Sequence, residues 1–362
     1  MLPRAGLPFD APSVSGSYAR ALRAFLDSRG LPPNGAGAGA GAGAGMGAVR
    51  VAGDALGDAL VGGGRELGDP MLGIRFGTRV GCAGFGLLGV AAATATSLGE
   101  AVRHLRRFES LTSTLGGVRV RREGQAVTLA WRPVRPVAPA VVEGILAGWV
   151  SFGRYLLGEH VRVRGLDFGH ARSTAISDYE QQLECPVRFG SDEASVTIDA
   201  ELMDARPRLA DARVNAALGA WLDRCTVAVA APESLATTRR VAGLLAGLGA
   251  PGDIDERGVA TALGVHRRTL QRHLAAEGSS FRVLLDAARA QHAIVTLLDG
   301  APRLAQLGAD IGFHEQSSLC RAFRRWTGYA PLPLKARLGP VFHELRPAHD
   351  PFPPPPPRTP QT

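Results

Sequence analysis

The sequence predicts an α+β N-terminal domain followed by an all-α C-terminal domain, in which two helix-turn-helix units are joined by one long helix. Three observations carry this prediction. Strand-like and helix-like stretches are interspersed up to about residue 224 without a regular βαβ repeat, which is the α+β pattern. From residue 235 to 337 every segment has helical periodicity. Within that stretch, residues 258–281 and 303–331 each read as a short apolar helix, a turn at a glycine, and a helix with arginines on one face.

Residues 17–29 have helical periodicity, and the run Gly30-Leu31-Pro32-Pro33 stops them. Residues 35–47 alternate Gly and Ala; they give a core nothing to bury and read as a flexible insert. Residues 49–67 read as helical again, interrupted by Gly62-Gly63-Gly64. The short apolar runs 72–76 and 86–90 read as strands, and 97–109 as an amphipathic helix. Residues 117–122 and 125–131 form a hairpin pattern around Glu123-Gly124. A largely buried helix is expected over 141–157, strands at 163–168 and 194–198, and a closing helix at 208–224. The small-residue segment 227–233 reads as a linker before a helix at 235–248, and the proline run within 350–362 as an extended tail.

Composition narrows the function. Hydrophobic residues at 45% and charged residues at 20% fit a globular chain, and the formal charge of +8 favours a polyanionic partner. Lys335 is the only lysine, so no Gly-rich loop ends in Gly-Lys-Ser/Thr and a P-loop is excluded. The cysteines Cys82, Cys185, Cys225 and Cys320 are scattered without a CxxC pair and read as small buried hydrophobes. No metal site is expected, and His170 reads as a hydrogen-bonded structural histidine because no second ligand stands at metal spacing. The opening MLPRAGLPFDAP lacks a signal-peptide pattern and no stretch reads as a membrane span, so the expectation is a cytoplasmic protein.

In the first unit, Leu263-Gly264 ends the supporting helix and the reading helix runs from about His266 to Ala276. Leu270 and Leu274 form its apolar stripe, against which Val259 and Leu263 pack. Arg268, Gln271 and Arg272 share the opposite face. Arginine bridges guanine O6 and N7, and glutamine bridges adenine N6 and N7, so these three are expected base readers. Arg267 and His273 lie nearer the edges and suit phosphate contact.

In the second unit, Gly312 turns into a reading helix over 315–327. Leu319, Ala322, Phe323 and Trp326 form its buried side, Gln316, Ser317 and Arg321 its groove face, and Arg324 and Arg325 a grip on the backbone. A helix over 281–299 fixes the spacing between units. A lone arginine of this kind equally well solvates the outer face of a bundle. Two units of matched architecture are what point to DNA.

This stretch resembles the AraC/XylS-type transcription regulators. The second unit of that family has the form "GF…QS…RAFRRW.G..P", which stands here as Gly312-Phe313, Gln316-Ser317, Arg321 to Trp326, Gly328 and Pro331. Its first unit has "LG.S.RTLQR.L…G.SF", which stands here as Leu263-Gly264, Arg268 to Arg272, Leu274, Gly278 and Ser280-Phe281. By that resemblance the groove readers are again Arg268, Gln271 and Arg272, then Gln316, Ser317 and Arg321. Five positions depart from the pattern. His266 stands where a serine usually caps the first reading helix, Gly308 where alanine usually packs, Leu319 for a common phenylalanine, and Lys335 for a terminal arginine, with Pro333 before it.

The N-terminal half resembles the arabinose-binding-like regulatory domain of the same family. The residues that carry this are Gly68-Asp69-Pro70, Leu72-Gly73-Ile74-Arg75, Gly86-Leu87-Leu88-Gly89, Ser97 to Ala101, and Cys185 to Gly190. The Gly-Ala tract departs from it. The resemblance implies a domain that senses a small molecule and mediates dimerisation. Phe85, Phe108, Trp131, Trp149 and Tyr155 are apolar candidates for its pocket, each read more readily as plain core.

The resulting organisation is a helical segment with the insert over 1–65, an effector-binding and dimerisation domain over 66–226, and a linker over 227–234. A double helix-turn-helix domain follows over 235–340, and a tail over 341–362. The expected function is a ligand-responsive transcription regulator without a cofactor. Its partners would be double-stranded promoter DNA, a small-molecule effector of unknown identity, a second copy of the chain and, for an activator, RNA polymerase. Two other readings stand beside it. One is a partner-binding co-regulator whose DNA contact has weakened. The other is an enzyme fused to a DNA-binding module, for which no GxSxG, HExxH or post-strand GxGxxG is present.

Overall fold

A computed structural model describes residues 12–31, 50–229, 236–246, 251–252, 254–298, 300 and 303–344. The Gly-Ala tract and the proline-rich tail lie outside the described residues. Strand β1 (Ser13–Ser15) leads into helix α1 (Gly16–Asp27), whose N-cap Ser15 accepts from the Tyr18 N–H. Strand β2 (Arg50–Ala52) pairs antiparallel with β1 and opens helix α2 (Gly53–Leu67). The three glycines at 62–64 stay within α2, and Gly68 ends it in the left-handed conformation.

The segments 72–76 and 86–90, expected as strands, are helices: α3 (Leu72–Gly77) and α4 (Gly86–Ala93). Every residue of α4 is buried, so it has no polar face and no periodicity for a sequence pattern to reveal. In α3 the cause is close packing against helix α6 (Pro139–Leu157). A Cβ on Gly73 would lie 2.2 Å from the Ala140 carbonyl oxygen, and one on Gly77 would lie 2.3 Å from that of Gly144. Glycine serves helix contact here, which in sequence looks like a weak strand.

Helix α5 (Leu98–Thr112) opens on an N-cap that resembles a capping box. Ser97 Oγ accepts from the Glu100 N–H at 3.2 Å, and Glu100 Oε2 accepts from the Thr96 N–H at 2.6 Å. The hairpin β3 (Gly116–Glu123) and β4 (Ala126–Pro133) forms as expected, as do β5 (Val163–Phe168) and β7 (Ala194–Asp199). Between them stand α7 (Ile176–Leu183) and β6 (Val187–Phe189), both too short to announce themselves. The five strands run in the order β3-β4-β7-β5-β6, antiparallel except for the parallel β5/β6 edge. Helix α6 is long and apolar enough to cross a membrane, but most of it is buried between α3 and the sheet, as in a core helix.

Helix α8 (Ala212–Val229) starts later than expected and runs on through residues 227–229, where a linker was expected; residues 230–235 lie outside the described ones. The C-terminal half comprises α9 (Ala236–Ala246), α10 (Glu256–Ala262), α11 (Arg267–Ala276), α12 (Phe281–Leu298), α13 (Leu304–Asp310), α14 (Gln316–Thr327) and α15 (Pro331–Glu344). Pro333 sits in the first turn of α15, where the N–H groups have no helical partner to lose.

The hydrophobic core does not divide at the chain's apparent domain boundary. Val241, Leu245, Val259, Leu270, Leu274 and Leu284 build a separate core around the first unit. The second unit shares one continuous core with the N-terminal domain. Trp221 of α8 packs against Trp326 of α14 with ring planes tilted 52° and centroids 6.4 Å apart, and the Arg213 guanidinium lies 4.7 Å over the Tyr329 ring. Arg337 of α15 pairs with Asp211 at the start of α8. Higher up, Gln291 of α12 donates to Ser17 Oγ of α1 at 3.4 Å.

Candidate nucleic-acid interface

The first unit is built from its caps inward. Asp255 accepts from the Gly258 N–H at 2.7 Å and starts α10. Gly264, at φ +70°, makes the turn that a side-chain-bearing residue rarely adopts. Helix α11 then begins at Arg267 with His266 as N-cap, and the imidazole makes no capping hydrogen bond, so the usual serine has no substitute here. Leu270 and Leu274 are fully buried against α9 and α10, which turns Arg268, Gln271, Arg272 and His273 outward.

All the residues expected to read or grip DNA in this unit are exposed, but they are not equally free. Glu256 Oε2 accepts from Arg267 Nε at 2.6 Å and from Gln271 Nε2 at 2.8 Å. Arg268 and Arg272 have no partner among the described residues.

The second unit follows the same logic. Leu307 and Ile311 are buried, Gly312 turns at φ +75°, and α14 buries Leu319, Ala322, Phe323 and Trp326. Gln316, Ser317, Arg321, Arg324 and Arg325 are exposed on the other side. Ser317 Oγ donates to Glu315 at 3.3 Å, and Arg321 Nη2 donates to Ser318 Oγ at 2.9 Å. A Cβ at Gly308 would come to 3.0 Å from the Phe313 carbonyl oxygen, so glycine lets the turn close more tightly than alanine would.

Two carboxylates escaped the sequence reading. Glu256 holds Arg267 and Gln271; Asp286, on α12, accepts from Arg325 Nη2 at 2.6 Å and from Trp326 Nε1 at 3.3 Å. Asp286 makes Arg325 a strut between the connecting and reading helices as well as a surface cation. Neither partnership follows helical spacing, so no sequence signal marks it. Helix α12 itself, 18 residues long, spans about 27 Å. That rigid spacer approaches the roughly 34 Å turn of a duplex.

The N-terminal domain holds a cavity between α1, α5, α6 and the β3/β4 hairpin. About 630 Å³ of space, its open mouth included, is lined by Tyr18, Phe85, Leu88, Leu115, Trp131 and Trp149 among others. Of the apolar candidates, Phe85, Trp131 and Trp149 line it; Phe108 and Tyr155 do not. Phe108 stacks on His104, and Tyr155 on Phe152 at 11°. His170 packs among Phe168 and Phe189 with Nδ1 2.9 Å from the Ala171 carbonyl oxygen. No cluster of metal-ligating residues occurs among the described residues.

Residues 36–207 match the family model described as the arabinose-binding domain of AraC transcription regulator, N-terminal, and residues 259–337 match a helix-turn-helix domain. The chain is 28% identical over 282 residues to the HTH-type transcriptional regulator VirS of Mycobacterium tuberculosis, covering 76% of this chain and 81% of that protein. It is 26% identical over 268 residues to the ornithine utilization regulator of Pseudomonas aeruginosa, covering 73% and 78%. A further HTH-type transcriptional regulator of M. tuberculosis shares 44% identity over 73 residues, 20% of this chain and 21% of that protein.

Proposed function

Because this chain belongs to the AraC-type transcription regulators and binds DNA as they do, we propose that it reads two successive major-groove segments of one promoter. Arg268, Gln271 and Arg272 read the first; Gln316, Ser317 and Arg321 read the second. Arg267, His273, Arg324 and Arg325 take phosphates. The observation that carries this reading is the pair of exposed arginine faces, on α11 and α14, held by buried stripes at the ends of one rigid helix. Binding requires Glu256 to release Arg267 and Gln271, an exposed exchange that costs at most about 1 kcal/mol per contact.

The N-terminal domain binds the effector, and the protein acts as a cytoplasmic, non-enzymatic homodimer that meets RNA polymerase if it activates. A route for the signal is built in. Tyr18 and Phe85 line the cavity, and their chain neighbours Ser17 and Gly86 abut Gln291 of α12. Anything that moves these two side chains presses on the helix that spaces the reading units.

A second reading, a partner-binding co-regulator with weakened DNA contact, is favoured by Glu256 and Asp286 occupying three of the proposed contacts. An electrophoretic shift on duplex DNA from the promoter upstream of its own gene separates the two. The DNA-reading account expects specific binding by the wild type and its loss in an Arg272→Ala/Arg321→Ala double variant. Retained binding by that variant contradicts the assignment of readers.

A further inference from the structure

The cavity of the N-terminal domain is largely apolar, with its polar side chains Glu109, Thr112 and Ser113 gathered at the end of α5. Tyr18, Leu56, Phe85, Leu88, Trp131 and Trp149 supply its walls, and Glu109 of α5 enters from the side of the β3 edge. Glu109 Oε2 accepts from the Val118 N–H at 3.2 Å, which fixes the carboxyl's position. Oε1 has no hydrogen bond among the described residues. The nearest cation, Arg106, stands on the same helix but is exposed.

A carboxyl that lines a largely apolar cavity and is held there by one backbone donor is open to a cationic partner. We propose that this cavity is the effector site and that it takes a small amine: a compact apolar body carrying one ammonium group, seated on Glu109. This deepens, and rests on, the reading of the N-terminal domain as effector-binding.

Three properties select that chemistry. The walls favour an aromatic or aliphatic body, with the indoles of Trp131 and Trp149 and the Phe85 ring as contact surfaces. The cavity has an open mouth, through which a small ligand can enter. The one ionisable carboxyl in the lining is Glu109; ionised, it pairs with a cation, tolerates a neutral donor less well, and repels a carboxylate. Burial pushes the Glu109 carboxyl up to about 7, against the pull of the Val118 N–H and the Arg106 charge. Folding has therefore already stripped part of its water, so an incoming ammonium group meets an acceptor that is partly desolvated. An amine with a second charge at its far end would place that charge against the apolar wall and be disfavoured.

The test uses full-length protein and three probes that share a phenethyl body: phenethylamine, 2-phenylethanol and 3-phenylpropionate. Calorimetric titration gives the affinities, and the emission of Trp131 and Trp149 reports occupancy of the cavity. The proposal expects phenethylamine to bind at least tenfold tighter than the alcohol, and the acid to bind weakest. In Glu109→Gln, whose amide oxygen still accepts from Val118, the amine-to-alcohol ratio should fall to about one while alcohol binding persists. Equal binding of amine and alcohol by the wild type, preference for the acid, or no binding of any probe at millimolar concentration overturns the proposal without needing the variant. A shift assay on promoter DNA with and without phenethylamine separates this from the broader reading. Amine binding with unchanged DNA affinity refutes effector control but keeps the site. A DNA response to other molecules, with no amine binding, refutes the site but keeps effector control.

Discussion

Glu143 offers a quantitative check on the physics of this domain. It sits on α6, one position before the cavity-lining Gly144, and is 1% exposed. Its Oε1 accepts from the Tyr179 hydroxyl at 3.2 Å, and His170 Nε2 stands 3.9 Å away, beyond hydrogen-bond reach. Burial pushes the carboxyl up to about 7, and the Tyr179 bond offsets only part of that. In the unfolded chain the same group titrates at its ordinary 4.5. Between those values the folded state holds a proton that the unfolded state has released, so stability is greatest in acid and is lost as pH rises toward 7. Charging this site costs about 3 kcal/mol in full.

Replacing Glu143 with Gln keeps an acceptor for Tyr179 and removes the titration. The stability of Glu143→Gln relative to wild type should therefore rise by about 2–3 kcal/mol between about pH 5 and pH 8. Urea unfolding at the two pH values measures this, and contributions common to both proteins, Glu109 included, cancel in the comparison. An offset between the proteins that is the same at both pH values would refute the reasoning. The same outcome would weaken the expectation that Glu109 is a desolvated carboxyl.

Three further outcomes follow from the contacts. Arg272→Ala and Arg321→Ala should each cost about 1–3 kcal/mol and relax discrimination at one base step only, read by shift assays on single-position operator variants. Glu256→Gln removes a charge near the phosphates and frees Arg267 and Gln271, so DNA affinity should rise severalfold and its salt dependence steepen; unchanged affinity would mean that Glu256 does not compete with DNA. Asp211 is pushed up by burial but held net below the ordinary carboxylate range by the Val214 N–H and Arg337. Its contribution is present above about pH 4 and lost as pH falls through the folded value. Asp211→Asn should therefore loosen the contact between α8 and α15 at neutral pH, seen as faster amide exchange in α15, and make the acid unfolding less steep.

The C-terminal half was legible because its helices are amphipathic and its turns are marked by glycines. Leu270, Leu274, Leu319 and Trp326 announce the buried stripe, and that stripe leaves Arg268, Arg272 and Arg321 outside. In the N-terminal half the hairpin and α6 were equally plain. What failed was α3 and α4: α3 is six residues long with two glycines, and α4 is apolar or glycine on every side, so periodicity carries no information. The short strands β1, β2 and β6 have three residues each, too few for alternation to register. Long-range pairings were invisible for a different reason: Glu256–Gln271, Asp286–Arg325, Asp211–Arg337 and Trp221–Trp326 join elements whose approach depends on the whole fold. The last two also fuse the second reading unit to the N-terminal core, where composition alone suggested a linker and a free domain.

Two grooves read by one chain is the claim on which the account stands, and hydroxyl-radical footprinting on its own promoter duplex tests it most directly. The account predicts two protected patches on one face of the DNA, about 10–10.5 base pairs apart. Arg272→Ala should weaken one patch and Arg321→Ala the other. A single protected patch, or the same patch lost in both variants, would contradict it.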